Sequence, residues 1–391
     1  MPVTKKYPYR RIVIKFGTSL LTGGGNRLDR ERMAGLVAQV AHLHAQGVES
    51  VIVSSGAIAA GREKLGLRKK IKGIPYKQVL ASVGQGRLMH VYEDLFTRHD
   101  ITIAQALLTR DDLADRAGYL NARNTLLALL DLHVICVVNE NDIVSIDEIK
   151  EAKFGDNDNL SAMAANLVDA DLLLLLSDIS GLYTADPHRD PRARLIPRVK
   201  RIDATIERLA KDTADDLGTG GMITKLEAAR MATSWGVEVV IADGGRPDVI
   251  TRLAAGEDIG TRFLPTTSKL ESRERWMLSG LCTRGKLVVD GGAAVALKKQ
   301  NRSLLSAGIR RVEGRFERGE IVAIHDIEGT HLGCGISNYS SGDIDIIKGT
   351  QSGKIAALID SDYGPEVVHR NNLALLESEE ISEHRQTVPV Q

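Results

Sequence analysis

The sequence predicts an α/β protein: an open, mostly parallel sheet with helices on both faces, followed by a small β-rich domain. Three features of the 391 residues carry that expectation. Apolar runs alternate with helical stretches up to about residue 265. Most of these runs are continuously apolar, as strands covered on both faces of a parallel sheet read. Past residue 285 the pattern changes to short strands punctuated by glycines, which reads as a compact β-rich unit.

Along the chain, the first strand is expected at Arg11–Lys15 (RIVIK). A helix follows over Leu28–Gln46, with Met33, Leu36, Val37, Val40 and Leu43 near the helical period and Gly47 as its stop. Val51–Val53 and Ile101–Leu108 are the next strands, and Tyr119–Leu132 the next helix. Then come a strand at Val134–Val138, a helix at Leu160–Val168, an all-leucine strand at Leu172–Leu176 and a strand at Val237–Ala242. Sheets of this kind bind ligands beyond the carboxyl ends of their strands. Residues 1–265 form this first domain. Pro265–Ser272 is polar and turn-forming and opens a linker over 266–283. The β-rich domain takes residues 284–370, with strands at Lys286–Val289 and Glu320–Ile324 among Gly291, Gly292, Gly308, Gly314, Gly319 and Gly329. Residues 371–391, with Glu377, Glu379, Glu380 and Glu383, read as an acidic tail that frays.

Composition narrows the function classes. Lys+Arg and Asp+Glu balance at 51 each, whereas a nucleic-acid coat or a polybasic membrane binder carries a positive excess. The purest apolar run, Leu172–Leu176, is far below the ~18 residues a membrane span needs. Met1–Arg11 is polar and basic without an apolar run behind it, so no signal peptide is expected. Cys136, Cys282 and Cys334 are odd in number and widely separated, which argues against a disulfide framework or cysteine zinc site and fits a reducing cytoplasm. The sequence has no HExxH, no GxxxxGK[ST], no GxGxxG and no GxSxG. A nucleotide site, if there is one, is built otherwise.

Five constellations carry possible chemistry. Lys15-Phe16-Gly17-Thr18-Ser19 closes the first strand and leads to Thr22-Gly23-Gly24-Gly25. A lysine ending a buried strand is costly unless paired, and glycines beside it let backbone amides approach an anion; the same run also reads as a surface hairpin. Ser54-Ser55-Gly56-Ala57 follows a strand and opens a helical stretch, suiting a carboxylate or phosphate, or simply a serine cap. Asn139-Glu140-Asn141-Asp142 ends one strand, and Gly155-Asp156-Asn157-Asp158-Asn159 leads to the helix from Leu160. These clusters suit an amino group, a hydrated Mg²⁺ or the orienting of lysines, and equally suit turns. Ser177-Asp178 follows the leucine strand. Gly218-Thr219-Gly220-Gly221-Met222-Ile223-Thr224-Lys225 is a glycine-rich turn opening a helix, either a phosphate cradle or a flexible loop beside a solvated lysine. Together Lys15 and Lys225 could bracket a transferring phosphoryl group, whose equatorial charge must be met by fixed cations and amides with Mg²⁺ on the donor.

These motifs, in their order and spacing, carry a resemblance. IKFGTSLLTGG, SSGAIAAGRE, LLTRDD, YLNARNTL, VVNENDIV, FGDNDNLSA, LLSDISGLYTADP and GLGTGGMITKL resemble the glutamate 5-kinase family over the first ~265 residues. GKLVVDGGAAVAL, LLSAGIRRVEGRFERGE and YGPEVVHR resemble the PUA domain those bacterial enzymes carry. The resemblance implies an amino acid kinase αβα sandwich that uses ATP and Mg²⁺ to phosphorylate the side-chain carboxylate of L-glutamate. The product would be L-glutamyl 5-phosphate, in the first step of proline biosynthesis. It assigns Lys15, with Gly17 beside it, to the ATP phosphates, and Ser55, Asp142 and Asn157 to glutamate, with Gly56 and Ala57 helping. Ser177-Asp178 and Thr219, Gly220, Gly221, Met222, Ile223, Thr224 and Lys225 fall in the nucleotide stretches. By analogy with related kinases, Asp158 orients Lys15 and Lys225. Further expectations from the family are feedback inhibition by proline, a homo-oligomer (dimer or tetramer), a downstream glutamyl phosphate reductase as possible partner, and a cytoplasmic location without membrane contact.

The chain departs from the family pattern in having Ser177-Asp178 for a frequent Thr-Asp, Ser54-Ser55-Gly56-Ala57 for a frequent Thr-Ser-Gly-Ala, and a longer stretch at Lys150-Glu151-Ala152-Lys153-Phe154. Two rivals stand beside the main reading. One is a sibling kinase for aspartate, acetylglutamate, carbamate or UMP on the same fold. The other is an RNA-binding protein acting through its tail domain, although residues 281–370 hold 12 Lys+Arg against 11 Asp+Glu, too balanced for a strong phosphate footprint. RNA binding is therefore not expected, with Arg310, Arg311, Arg315 and Arg318 the one basic strip available for it.

Overall fold

The computed structural model describes residues 7–67, 73–144, 156–187, 189–212, 221–268, 283–360 and 363–376. Contacts divide the chain into two units, Met1–Ala114 with Asn121–Lys269, and Asp115–Leu120 with Leu270–Gln391.

The first unit is built on an eight-stranded sheet. Its strands are β1 (Arg11–Phe16), β2 (Glu49–Ser54), β3 (Ile103–Leu108), β4 (Ile135–Glu140), β5 (Leu172–Ser177), β6 (Arg198–Val199), β7 (Glu238–Asp243) and β8 (Thr261–Phe263). They lie in the order β3-β4-β2-β1-β5-β7-β8-β6. Every pair in the ladder is parallel except β7–β8, so β8 and its neighbour β6 run against the other six strands. Strand β1 sits centrally, with Lys15 opposite Val53 of β2 on one side and Leu175 of β5 on the other. The chain lays β2, β4 and β3 to one side of β1 and then crosses to β5 and β7. That reversal puts the topological switch beyond the carboxyl ends of β1, β2 and β5, where open α/β sheets hold ligands.

The helices of this part of the chain are α1 (Thr18–Thr22), α2 (Arg30–Ala45), α3 (Ala57–Lys64), α4 (Ile74–Thr97), α5 (Arg110–Ala114), α6 (Arg116–Asp131), α7 (Asp156–Leu167), α8 (Ala204–Asp212), α9 (Met222–Ser234) and α10 (Val249–Ala254). Helix α2 starts where Asp29 accepts a bond from the backbone amide of Arg32 at 3.1 Å, an N-cap that satisfies one orphan donor. Its apolar stripe, Met33, Leu36, Val37, Val40 and Leu43, is buried with Ile12, Ile14 and Ile52 of the central strands.

Three details differ from the sequence expectation. Strand β3 is an edge strand with alternating exposure, so the reading of full burial fits its neighbours and not this strand. Strands β6 and β8 are only two and three residues long, too short to leave an apolar pattern. Asp156–Asn159, expected as a turn before a helix from Leu160, is itself the first turn of α7.

The 24-residue α4 has no forerunner in the periodicity because Gly84 and Gly86 interrupt it. One of those glycines is structural. A Cβ on Gly84 would lie 1.8 Å from the carbonyl oxygen of Ala57, and one on Gly61 would lie 1.9 Å from that of Leu80. Helices α3 and α4 therefore meet backbone to backbone, and α4 fixes where α3 begins.

The second unit carries a five-stranded sheet from β9 (Thr283–Val289), β11 (Ile309–Gly314), β12 (Ile321–Asp326), β13 (His331–Ile336) and β15 (Leu373–Leu375), and a two-stranded sheet from β10 (Leu304–Leu305) and β14 (Glu366–Val368). The five-stranded sheet is antiparallel except for the β9–β12 pair. Helices α11 (Gly291–Gln300) and α12 (Ser341–Ile347) are capped by Asp290 and Ser340. The core gathers Leu287, Val289, Val322, Ile324, Tyr339 and Ile344. Tyr339 is fully buried and its hydroxyl donates to the Gly364 carbonyl at 2.6 Å, which satisfies the one polar atom burial would otherwise orphan.

Candidate active site

The carboxyl edge of the sheet gathers side chains far apart in sequence. Strand β1 delivers Lys15 to this edge with 5% of its surface exposed. Gly17 follows, and its amide donates to the Leu176 carbonyl of β5 at 3.0 Å. A Cβ on Gly17 would stand 3.3 Å from that oxygen and 3.8 Å from Lys15 Nζ, so glycine keeps the space beside the ammonium open. Helix α7 contributes Asp158 from its first turn, fully buried. Helix α9 starts at the Gly221 N-cap and contributes Thr224 and Lys225 in its first turns.

These four side chains form one cluster. Asp158 Oδ1 stands 2.7 Å from Lys15 Nζ, and Asp158 Oδ2 stands 3.3 Å from Lys225 Nζ. The hydroxyl of Thr224 lies 2.7 Å from Oδ2, to which it donates. Burial pushes the Asp158 carboxyl up, but Lys15, Lys225 and the Thr224 hydroxyl more than reverse this and hold it at about 2. The carboxylate is therefore ionised at neutral pH. For Lys225, burial lowers the pKa first, Asp158 draws it back up, and Lys15 lowers it again, leaving it below the ordinary lysine value. One buried carboxylate thus serves two buried lysines, and Asp178 adds a weaker pull on Lys225. The amino termini of α7 and α9 add their dipoles to the same corner.

Other polar groups point the same way. Ser177, at the end of β5, is buried and its Oγ has no hydrogen-bond partner among the described residues. Asp178, next to it, is exposed. On the β2 side, Asn157 Nδ2 donates to Ser55 Oγ at 3.2 Å, while Asn157 Oδ1 is buried without a partner. The amide of Ser55 is tied to the end of β1 through the Phe16 carbonyl at 3.2 Å. Gly56 takes φ 106° at the N-cap of α3, and a Cβ there would meet Leu21 Cδ1 at 3.3 Å. Both the backbone and the packing require glycine at this corner. Ala57 is buried at the start of α3. Asp142 lies two residues past β4 and is buried.

The structure thus joins Lys15, Asp158, Thr224 and Lys225 in one cluster and links Ser55 to Asn157. Gly221 caps α9, Met222 is buried in its first turn and Ile223 is half-buried. Thr219 and Gly220 lie outside the described residues, as do Gly155, the stretch Lys150–Phe154, Cys282, most of the expected linker and residues 377–391 of the acidic tail. Residues 371–376, expected to belong to that fraying tail, instead include β15, which pairs with β13 and buries Leu373 and Ala374. Sequence reading missed three supports. Thr224 bonds Asp158 directly. Gln85 of α4 accepts from Asn139 Nδ2 at 2.9 Å. The buried hydroxyl of Tyr92 lies 2.8 Å from Ser54 Oγ. No local signal announces any of these, since each comes from a helix distant in sequence from its partner: α9 for Thr224 and α4 for Gln85 and Tyr92.

The partnerless Ser177 Oγ and Asn157 Oδ1, an open glycine cradle and two buried lysines fit a phosphate-bearing ligand. Among the described residues no three of His, Cys, Asp and Glu converge to hold a metal ion by themselves, and no helix is long and apolar enough to cross a membrane.

Comparison with known proteins agrees with this geometry. Residues 10–243 match the amino acid kinase family and residues 285–359 match the PUA domain. The chain is 60% identical to a glutamate 5-kinase of Dehalococcoides mccartyi (strain CBDB1), over 94% of this chain and 99% of that protein. It is 52% identical to a glutamate 5-kinase of Photobacterium profundum, over 94% and 97%. A glutamate 5-kinase of Herpetosiphon aurantiacus matches at 49%, over 93% and 98%. Among solved structures, UMP kinase from Bacillus anthracis aligns at a TM-score of 0.45 with 16% identity, covering 66% of this chain and 98% of that one.

Proposed function

Since the chain belongs to the glutamate 5-kinase family of amino acid kinases, with a C-terminal PUA domain, we propose that it transfers the γ-phosphoryl group of ATP to the side-chain carboxylate of L-glutamate. The observation that carries this reading is the Lys15–Asp158–Lys225 bridge at the topological switch. A carboxylate is already ionised near neutral pH and attacks without a general base. The protein's task is therefore alignment and neutralisation of charge. Lys15 and Lys225, held apart by the two oxygens of Asp158, face the oxygens of the phosphoryl group in flight. The Gly17 cradle and the Ser177 hydroxyl receive the nucleotide phosphates. Ser55, Asn157 and Asp142 hold glutamate on the β2–β4 side, with Gly56 and Ala57 forming the turn behind it. When bound, Mg²⁺ neutralises the donor phosphates, reaching the site mainly on the nucleotide.

The reaction is the first step of proline biosynthesis from glutamate, inhibited by proline, in a cytoplasmic homo-oligomer that hands its labile acyl phosphate to a reductase. The boundaries proposed are a kinase domain over residues 1–265 and a PUA-like domain over 284–370, which β15 (Leu373–Leu375) carries past its expected end. The deciding experiment is ATP- and Mg²⁺-dependent hydroxamate formation with glutamate, aspartate and acetylglutamate in parallel, with and without proline. Turnover on glutamate, suppressed by proline, is the expected result. Turnover on another acid instead would overturn the assignment of Ser55, Asn157 and Asp142 while keeping that of the lysines.

A further inference from the structure

A second polar cleft, of about 1070 Å³, opens in the first unit, and no residue of the lysine–aspartate bridge lines it. Four guanidiniums converge there: Arg27 from the segment before α2, Arg30 from its first turn, Arg62 from α3 and Arg87 from α4. Against them stand two carboxylates, Asp29 and Glu63, and both are already engaged by the fold. Asp29 caps α2, and Glu63 Oε2 accepts from the Leu28 amide at 3.4 Å. Two of the arginines are partly engaged as well. Arg62 donates to Asn26 Oδ1 at 3.3 Å, and Arg30 pairs with Asp94 at 3.4 Å. Arg27 and Arg87 have neither an ion pair nor a hydrogen bond among the described residues, and Arg87 is half-buried.

Gathering like charges from one connecting segment and three helices costs Coulomb energy, and the part-burial of Arg62 and Arg87 strips those guanidiniums of hydration. The close approach of α3 to α4 is made at Gly61 and Gly84, with Ala57, Ala60, Ala81 and Leu88 in the shared core, and uses none of these charges. We propose that this cleft is a binding site for a small organic polyanion, its charge carried on phosphate or carboxylate groups. Planar guanidiniums take both groups bidentately, and the cleft is large enough for a molecule of nucleotide size. Leu28 lines the cleft and also lies 3.4 Å from where a Cβ of Gly56 would stand. The cleft and the Ser55–Ala57 corner thus share a wall.

Calorimetric titration of the full chain tests this, with pyrophosphate and citrate as separate probes. In the Arg27→Gln/Arg87→Gln variant, one site per chain is expected to disappear, or to weaken by about tenfold or more, relative to the wild type. Turnover and melting temperature of the variant should match the wild type, which separates a lost site from a lost fold. Arg27→Lys/Arg87→Lys, keeping charge without the planar fork, should recover only part of the affinity. A site that takes pyrophosphate alone identifies the ligand as phosphate-bearing, and one that takes citrate alone as a polycarboxylate. Equal binding by wild type and the double Gln variant, or no binding of either probe to the wild type beyond what the variant retains, would overturn the proposal.

Discussion

Replacing Gly84 by alanine isolates the contact that sets the position of the Ser55–Ala57 corner. The added Cβ would stand 1.8 Å from the Ala57 carbonyl oxygen and 2.4 Å from the Gly61 amide nitrogen. Both neighbours are backbone, so no rotamer change relieves the overlap and the two helices must part. Overpacking of this kind costs about 3 kcal/mol, offset by about 1 kcal/mol from the better helix propensity of alanine. The net loss is about 2 kcal/mol. Gly86, two residues on in the same helix, is the internal control, because a Cβ there meets nothing within 4 Å. Gly86→Ala collects only the propensity term and should stabilise by about 0.5–1 kcal/mol. Denaturant melts of the two variants should therefore shift in opposite directions. Parting α3 from α4 displaces Ala57, so Gly84→Ala should also raise the KM for glutamate several-fold more than that for ATP. Two variants of equal stability would refute the packing argument. A destabilised Gly84→Ala with both KM values unchanged would detach α4 from the substrate corner.

The remaining expectations concern the cluster itself. Lys225→Ala and Lys15→Ala should each lower turnover by ~10²-fold or more, by analogy with loss of one charge-stabilising donor; near-normal turnover in single-turnover assays would remove that lysine from the reaction. Asp142→Ala should raise the KM for glutamate far more than that for ATP, and an equal rise in both would move Asp142 out of the substrate pocket. The Asp158 carboxyl is held at about 2 against an ordinary value of 3.8, so its stabilising contribution is complete above pH ~4 and is lost as pH falls toward ~2, amounting to about 2 kcal/mol. Asp158→Asn should flatten that acid limb and weaken the fold at neutral pH, and an unchanged pH profile of stability would contradict the shift. Thr224→Val, near-isosteric, removes a hydrogen bond to a buried carboxylate and should lower kcat about tenfold or more, with Thr224→Ser restoring most of it; valine and serine variants of equal kcat would reduce Thr224 to packing.

The central strands were legible because a parallel strand covered on both faces has no choice but to be apolar throughout, and β1, β2, β4, β5 and β7 have that pattern. The same logic hides what is not doubly covered. Strand β3 alternates at the edge, β6 and β8 are too short to have a period, and α4 conceals its middle behind Gly84, needed for close approach, and Gly86. Lys15 could be picked out from its place at the end of a buried strand, where an ammonium demands a reason. Asp158 could not, since Asn and Asp in a run read as a turn, and its role came from resemblance. Those same residues suit the first turn of a helix, where side-chain carboxylates meet free amides and the positive end of the dipole. Thr224, Gln85 and Tyr92 act on partners brought together only by the tertiary fold.

The count of charges in the cluster explains why such a site is tolerable to the fold and useful to the reaction. Two buried lysines without a carboxylate would each bear the full desolvation cost, and the site would collapse or the lysines would give up their protons. Two carboxylates would neutralise them completely, leaving nothing for an incoming phosphoryl group to satisfy. A single buried carboxylate, Asp158, split between Lys15 at 2.7 Å and Lys225 at 3.3 Å and fixed by Thr224, keeps both lysines in place, with the exposed Asp178 acting on Lys225 from farther off. Lys225, depressed by burial and by Lys15, gains most from an added anion. A nucleotide entering this corner adds negative charge beside two buried lysines, and it should stabilise the first unit through the same contacts that align the phosphoryl group.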